Sequence, residues 1–171
     1  MSAQVAQAAP GVTTIWAIAA QYKLWFDGSA SEGGNGHLAC GFVVEAPDGA
    51  KHRAPFTFGT GTNNVAEYAA LLAGLRYLLE TITIKPAWLK VYGDSMRVIN
   101  QVWGGWKVKA PHLRPLQAEA RSLLGKLAAA GVHCTGEWIR RDMNTEADGL
   151  CREAMKCATS AVPYAANEAA V

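Results

Sequence analysis

Four carboxylates in this 171-residue chain stand where chemistry could use them. Asp27 closes the apolar run LWF, Glu67 lies inside TNNVAEY, Asp94 ends VYGD, and Asp148 lies in NTEADGL. No Lys or Arg is adjacent in sequence to Asp27, Glu67 or Asp94. Carboxylates gathered in a low-dielectric site repel one another and need a counter-charge. A hard divalent cation with oxygen ligands answers that need. A donor set without His or Cys favours Mg2+ or Mn2+ over zinc. Each acid also has an ordinary reading. Asn64 and Glu67 form a capping-box-like pair. Asp94, between a strand and a helix, suits an N-cap. Asp148 suits the first turns of a helix as surface charge. Asp27-Gly28 is a turn signal, although a carboxylate at the end of an apolar strand is costly to bury alone. The joint placement outweighs the separate readings: two acids at strand ends and two in first helical turns can converge.

The elements that must position them follow from hydrophobic periodicity. Residues 21–30, 37–46 and 51–59 read as strands, the last two joined by the turn Pro47-Asp48-Gly49. From Val65 to Glu80, apolar residues recur at helical spacing. Residues 87–95 form a strand leaving through Gly93-Asp94, a helix begins at 95–103, and Gly104-Gly105 interrupts it. Residues 113–131 form a helix stopped by Gly131, 132–139 a fifth strand, and 144–159 a last helix. The order β-β-β-α-β-α-α-β-α predicts the α/β class: a mixed five-stranded sheet, its first three strands antiparallel and the rest parallel, with helices on both faces. Fold alone does not give function.

Composition sets bounds. Hydrophobic residues make up 50% and charged ones 18%, ordinary for a globular protein. The net charge of +2 is too small to announce a nucleic-acid binder, so such a reading rests on where charges fall. Cys40, Cys134, Cys151 and Cys157 form no CxxC pair or zinc spacing and read as free thiols in a reducing compartment. The stretch 12–20, VTTIWAIAA, is too short to span a bilayer, and no Lys or Arg precedes it as in a secretory leader. The expectation is a cytoplasmic protein with no membrane contact. Residues 21–158 read as one domain, and 1–20 and 159–171 as Ala-rich tails.

Taken together, FDGSA, TNNVAEYAALLAGL, VYGDSMRVINQV and RRDMNTEADGL resemble type 1 ribonuclease H, in its compact archaeal and bacterial branch. The match spans nearly the whole core in the family's order. The resemblance implies an endonuclease that cuts the RNA strand of an RNA/DNA hybrid, working as a monomer. It implies that Asp27, Glu67, Asp94 and Asp148 hold two Mg2+ ions, with Mn2+ as a substitute, about 4 Å apart across the scissile phosphate. Products would carry 5′-phosphate and 3′-hydroxyl ends. Asn63 and Asn64 would read 2′-hydroxyls of the RNA strand, Thr62 would donate to a phosphate, and Asn35 would match the family's asparagine after Asp-Gly-Ser. Arg141 stands where many members carry a mobile His; its permanent charge can hold a phosphate but cannot shuttle protons. Its ordinary reading is a surface Arg paired with Asp142. The family's basic handle is reduced to WGGWKVKAPHLR, in which Trp106 and Lys107 suit a DNA-strand contact and Trp103 a core position. No hybrid-binding domain is recognisable before the core, which implies low processivity. Two alternatives stay open: a nuclease of the same fold that also cuts double-stranded RNA, and a non-catalytic hybrid-binding module.

Overall fold

The computed structural model describes residues 19–159; the expected tails lie outside the described residues apart from Ala19, Ala20 and Thr159. The strands are β1 (Ala20–Ala30), β2 (Asn35–Glu45), β3 (Lys51–Thr62), β4 (Ala87–Gly93) and β5 (Val132–Trp138). The helices are α1 (Ser31–Gly34, one turn), α2 (Asn63–Thr81), α3 (Met96–Val102), α4 (Arg114–Ala129) and α5 (Thr145–Thr159). Short 3-10 turns at Pro111–Leu113 and Arg141–Met143 precede α4 and α5. The five strands form one sheet in the order β3-β2-β1-β4-β5. β1–β2 and β2–β3 are antiparallel, and β1–β4 and β4–β5 parallel. The predicted mixed sheet is the one observed.

Strand alternation decides which face is buried. Tyr22, Leu24 and Phe26 of β1 and Ala87, Leu89 and Val91 of β4 point into one core with α2 and α4, joined by Leu71, Leu75, Leu78, Leu123 and Leu127. On the opposite face α5 covers β2, β3 and part of β1, seating Cys151 and Ala154 against Ala39. The hairpin between β2 and β3 closes where the turn signal predicts, with Ala46 N–H donating to the Ala50 carbonyl at 2.8 Å. Gly131, after α4, has φ +85°, the left-handed conformation that suits a helix stop. Among the described residues no helix is long and apolar enough to cross a membrane.

Candidate active site

Register brings the first two acids together. The β1–β4 pairing ends at Phe26 beside Gly93, so the next residues, Asp27 within β1 and Asp94 just past the end of β4, follow side by side. Carboxyl ends of parallel strands are where open α/β sheets present ligands. Two glycines then admit the helices that carry the other acids. A Cβ on Gly28 would lie 2.2 Å from the Ala66 carbonyl carbon, so only glycine lets α2 press Glu67 against β1. Gly41 is the cross-strand partner of Asp27. A Cβ there would meet the Ala147 carbonyl oxygen at 2.7 Å, so glycine again lets α5 carry Asp148 in close.

Carboxylate oxygens of Asp27, Glu67 and Asp94 all lie within 4.8 Å of one another. Asp148 stands beside this trio but is turned onto two guanidiniums. Arg141 Nη2 donates to its Oδ1 at 2.8 Å, and Arg152 Nη2 donates to its Oδ2. Burial pushes the Asp27 carboxyl up to about 6, helped by the negative charges of Asp94 and Asp148 and opposed by Cys151 and Arg141. Burial also drives Glu67 well above the usual carboxylate range, with Asp27 and Asp94 adding to the rise. Its Oε2 is enclosed without a hydrogen-bond partner. For Asp148 burial works upward, but the hydrogen bonds from Arg141 and Arg152 prevail and hold it low. The trio is therefore an electrostatically unsatisfied pocket, and its neighbour is already neutralised.

These positions correct several ordinary readings. Asp27 lies in no turn: β1 runs three residues past it, and it is only 6% exposed. Glu67 is not half of a capping box, because α2 begins at Asn63 and its N-cap Thr62 makes no side-chain capping bond. The cap of α3 is Ser95, which accepts from Val98 N–H at 3.4 Å, so Asp94 is released from that duty. Asp148 is not surface decoration but 4% exposed. Asp142 pairs with Arg140 at 2.6 Å, and Arg141 with Asp148.

Three contributors escaped sequence reading. Asn144 is buried, and its Nδ2 donates to the Phe26 carbonyl at 2.9 Å and to Asp94 Oδ1 at 3.3 Å, tying both strand ends to the start of α5. Reading that helix from Asn144 rather than Thr145 concealed it; an Asn just before a helix was the available signal. Trp138 Nε1 donates to the Asp94 carbonyl at 3.0 Å. Cys151 is buried against Asp27, with its sulfur 3.2 Å from the Ala39 carbonyl and 3.3 Å from Ser29 Oγ.

The expected substrate readers sit along one rim. Asn63 Oδ1 accepts from Ala30 N–H at 2.7 Å, which fastens α2 to the end of β1. Asn64 is half-buried beside it. Asn35 pairs with Thr62 across β2 and β3, next to an open cleft lined by Asn35, Gly36, His37, Thr60 and Gly61. Thr62 Oγ1 is buried without a hydrogen-bond partner. Trp103 packs over Gly136 at the edge of the core, as expected. Trp106 is 50% exposed and Lys107 exposed, on the loop between α3 and α4. All four cysteines are free.

Comparison with known proteins gives the family. Residues 26–154 match the model of the family described as "Reverse transcriptase-like". Ribonuclease HI of Halobacterium salinarum is 34% identical over 142 residues, covering 77% of this chain and 62% of that protein. Bifunctional protein Rv2228c of Mycobacterium tuberculosis is 34% identical over 143 residues, covering 82% of this chain and 37% of that one. The chain thus spans between about one third and two thirds of the length of these curated relatives. The crystal structure of RNase H1 from Halobacterium salinarum superposes with a TM-score of 0.70 at 33% identity, covering 80% of this chain and 98% of that one. LC11-RNase H1, solved in complex with an RNA/DNA hybrid, matches with a TM-score of 0.70 at 28% identity over 81% of this chain and 99% of that one. By family model, sequence and fold, the chain belongs to the type 1 ribonuclease H group of the reverse-transcriptase-like family.

Proposed function

We propose that this chain is a divalent-metal-dependent endonuclease that hydrolyses the RNA strand of RNA/DNA hybrids, leaving 5′-phosphate and 3′-hydroxyl ends. The observation that carries the reading is the convergence of Asp27, Glu67 and Asp94 oxygens within 4.8 Å. The residues fit a hard divalent cation: the donors are all carboxylates, and the buried Glu67 Oε2 lacks any other partner. Asp27, Glu67 and Asp94, with Asp148 once released from its arginines, would hold two Mg2+ ions, with Mn2+ as a substitute. Bound there, the ions supply neutralisation of the scissile phosphate and a more acidic water.

The chain's own side chains do the positioning. Asn144 and Trp138 hold Asp94, and Gly28 and Gly41 hold the helices close. Arg141, 75% exposed in its side chain and fixed at one end by Asp148, is placed to meet a phosphate as negative charge builds on it. Asn35, Asn63 and Asn64 line the rim where 2′-hydroxyls would be read. Trp106 and Lys107 offer a stacking surface and a charge to the DNA strand. A monomer in a reducing, cytoplasmic setting suits the four free thiols.

The test is cleavage of labelled RNA/DNA, RNA/RNA and DNA/DNA duplexes with Mg2+, Mn2+ or EDTA. Hybrid cutting in Mg2+ alone or Mn2+ alone, and none in EDTA, is expected. Asp94→Asn should abolish cutting and retain hybrid binding; wild-type cutting by that variant would refute the site. Cutting of RNA/RNA would assign the wider nuclease, and hybrid binding without any cutting the silent module.

A further inference from the structure

The face of the sheet that carries Asp27 is only partly covered. Its helix, α5, packs on β1, β2 and β3, whereas Lys90 of β4 and His133 of β5 on the same face are exposed. The parallel register orders this open half into rows across the strands. Trp25 lies beside Tyr92, Lys23 beside Lys90, and Trp88 beside His133. In the first row Trp25 and Tyr92 stack with centroids 5.4 Å apart, with Lys23 and Lys51 over the Trp25 ring and Glu137 of β5 beside Tyr92. In the third, Trp88 meets His133 edge-on at 4.3 Å. The middle row sets two lysines side by side on adjacent strands. Like charges so placed are costly unless an anion answers them. Glu45 answers Lys23 at 2.8 Å; among the described residues no carboxylate pairs with Lys90. Successive rows are two residues apart, about 6.6 Å, and the next positions along the two chains beyond the last pair, Phe26–Gly93, are Asp27 and Asp94.

We infer that this face is a stacking platform for a single-stranded extension of the RNA strand, running from the acids down β1 and β4. Aromatic faces take bases of any sequence, and a cationic row between them takes the phosphates, the pattern of sequence-tolerant single-strand binding. Continuity with the acid pair argues for the strand that is cut. The inference rests on the hybrid-cleavage reading, so the experiment includes a control for it.

Steady-state cleavage is measured for a blunt RNA/DNA hybrid and for hybrids bearing a six-nucleotide single-stranded extension, of RNA or of DNA, at either end. An RNA extension at one end should lower KM by about fivefold at unchanged kcat. Lys90→Glu should remove that gain and leave blunt-hybrid kinetics unchanged; Trp88→Ala, checked by its unfolding curve, should do the same. Equal KM for every hybrid, a gain from DNA extensions alone, or a gain that survives Lys90→Glu would overturn the inference. A dimer in sedimentation that Lys90→Glu dissolves would overturn it too, by giving the face to a second copy of the chain. Failure to cut the blunt hybrid would instead sink the reading beneath it.

Discussion

Replacing Asp27 by Asn should make the metal-free protein more stable while removing its activity. The native state keeps the Asp27 proton up to about pH 6, against an ordinary value of 3.8. Between those values the native state binds more protons than the unfolded chain, so stability falls as pH rises through that window. Above it the full penalty is present. A shift of that size corresponds to about 3 kcal/mol, and Asn removes the charge while nearly keeping the shape. Relief of about 2–3 kcal/mol at pH 7.5 is therefore expected. The assay is urea unfolding in EDTA at pH 5 and pH 7.5 for wild type and variant. Wild type should gain on the variant as pH falls to 5. Comparing the two proteins cancels groups that Asp27 does not influence; Glu67, which Asp27 helps to raise, is relieved in the variant as well and moves the gap in the same direction. His52, held low by burial, contributes stability that is lost as pH falls. Asp148, also held low, loses its contribution only below the range compared. An Asp27→Asn variant less stable than wild type at pH 7.5, or a stability gap unchanged between the two pH values, would refute the electrostatic reasoning.

Other substitutions probe the supports. Asn144→Ala leaves the Phe26 carbonyl and Asp94 without their donor; cleavage should fall about 10–100-fold and unfolding free energy by about 1–3 kcal/mol, read by kinetics and urea curves. Gly28→Ala drives a methyl into the α2 backbone and should cost about 2–4 kcal/mol together with most of the activity, measured on the same assays. Arg152→Ala frees one side of Asp148 and should lower the Mg2+ concentration needed for half-maximal cleavage, found by metal titration. Lys107→Ala should weaken hybrid binding and reduce the slope of log affinity against log salt by about one, measured by fluorescence anisotropy.

Much of the fold was legible because each strand and helix carries its own period. Leu24, Phe26, Leu89 and Val91 alternate as half-buried strands must, and the turns at Gly49 and Gly131 stand where residues of their type predict. Boundaries were less legible. β1 runs through an Asp-Gly-Ser that reads as a turn, because pairing with β2 continues to Ala30. The acids could be named individually, but their orientation depends on long-range contacts that no local pattern encodes. Only packing shows that Gly28 and Gly41 are the points at which α2 and α5 reach Asp27. The two arginines on Asp148 come from a turn and from one helical turn further on, so proximity in sequence pointed instead to Asp142. Asn144 was hidden by a one-residue error in a helix start, the kind of error that fraying ends make common.

The most direct measurement is diffraction from crystals soaked in MnCl2, with data collected at the manganese absorption edge. Anomalous density is predicted between the carboxylates of Asp27, Glu67 and Asp94, and it should vanish in Asp27→Asn. Manganese bound elsewhere on the molecule while that pocket stays empty would contradict the account.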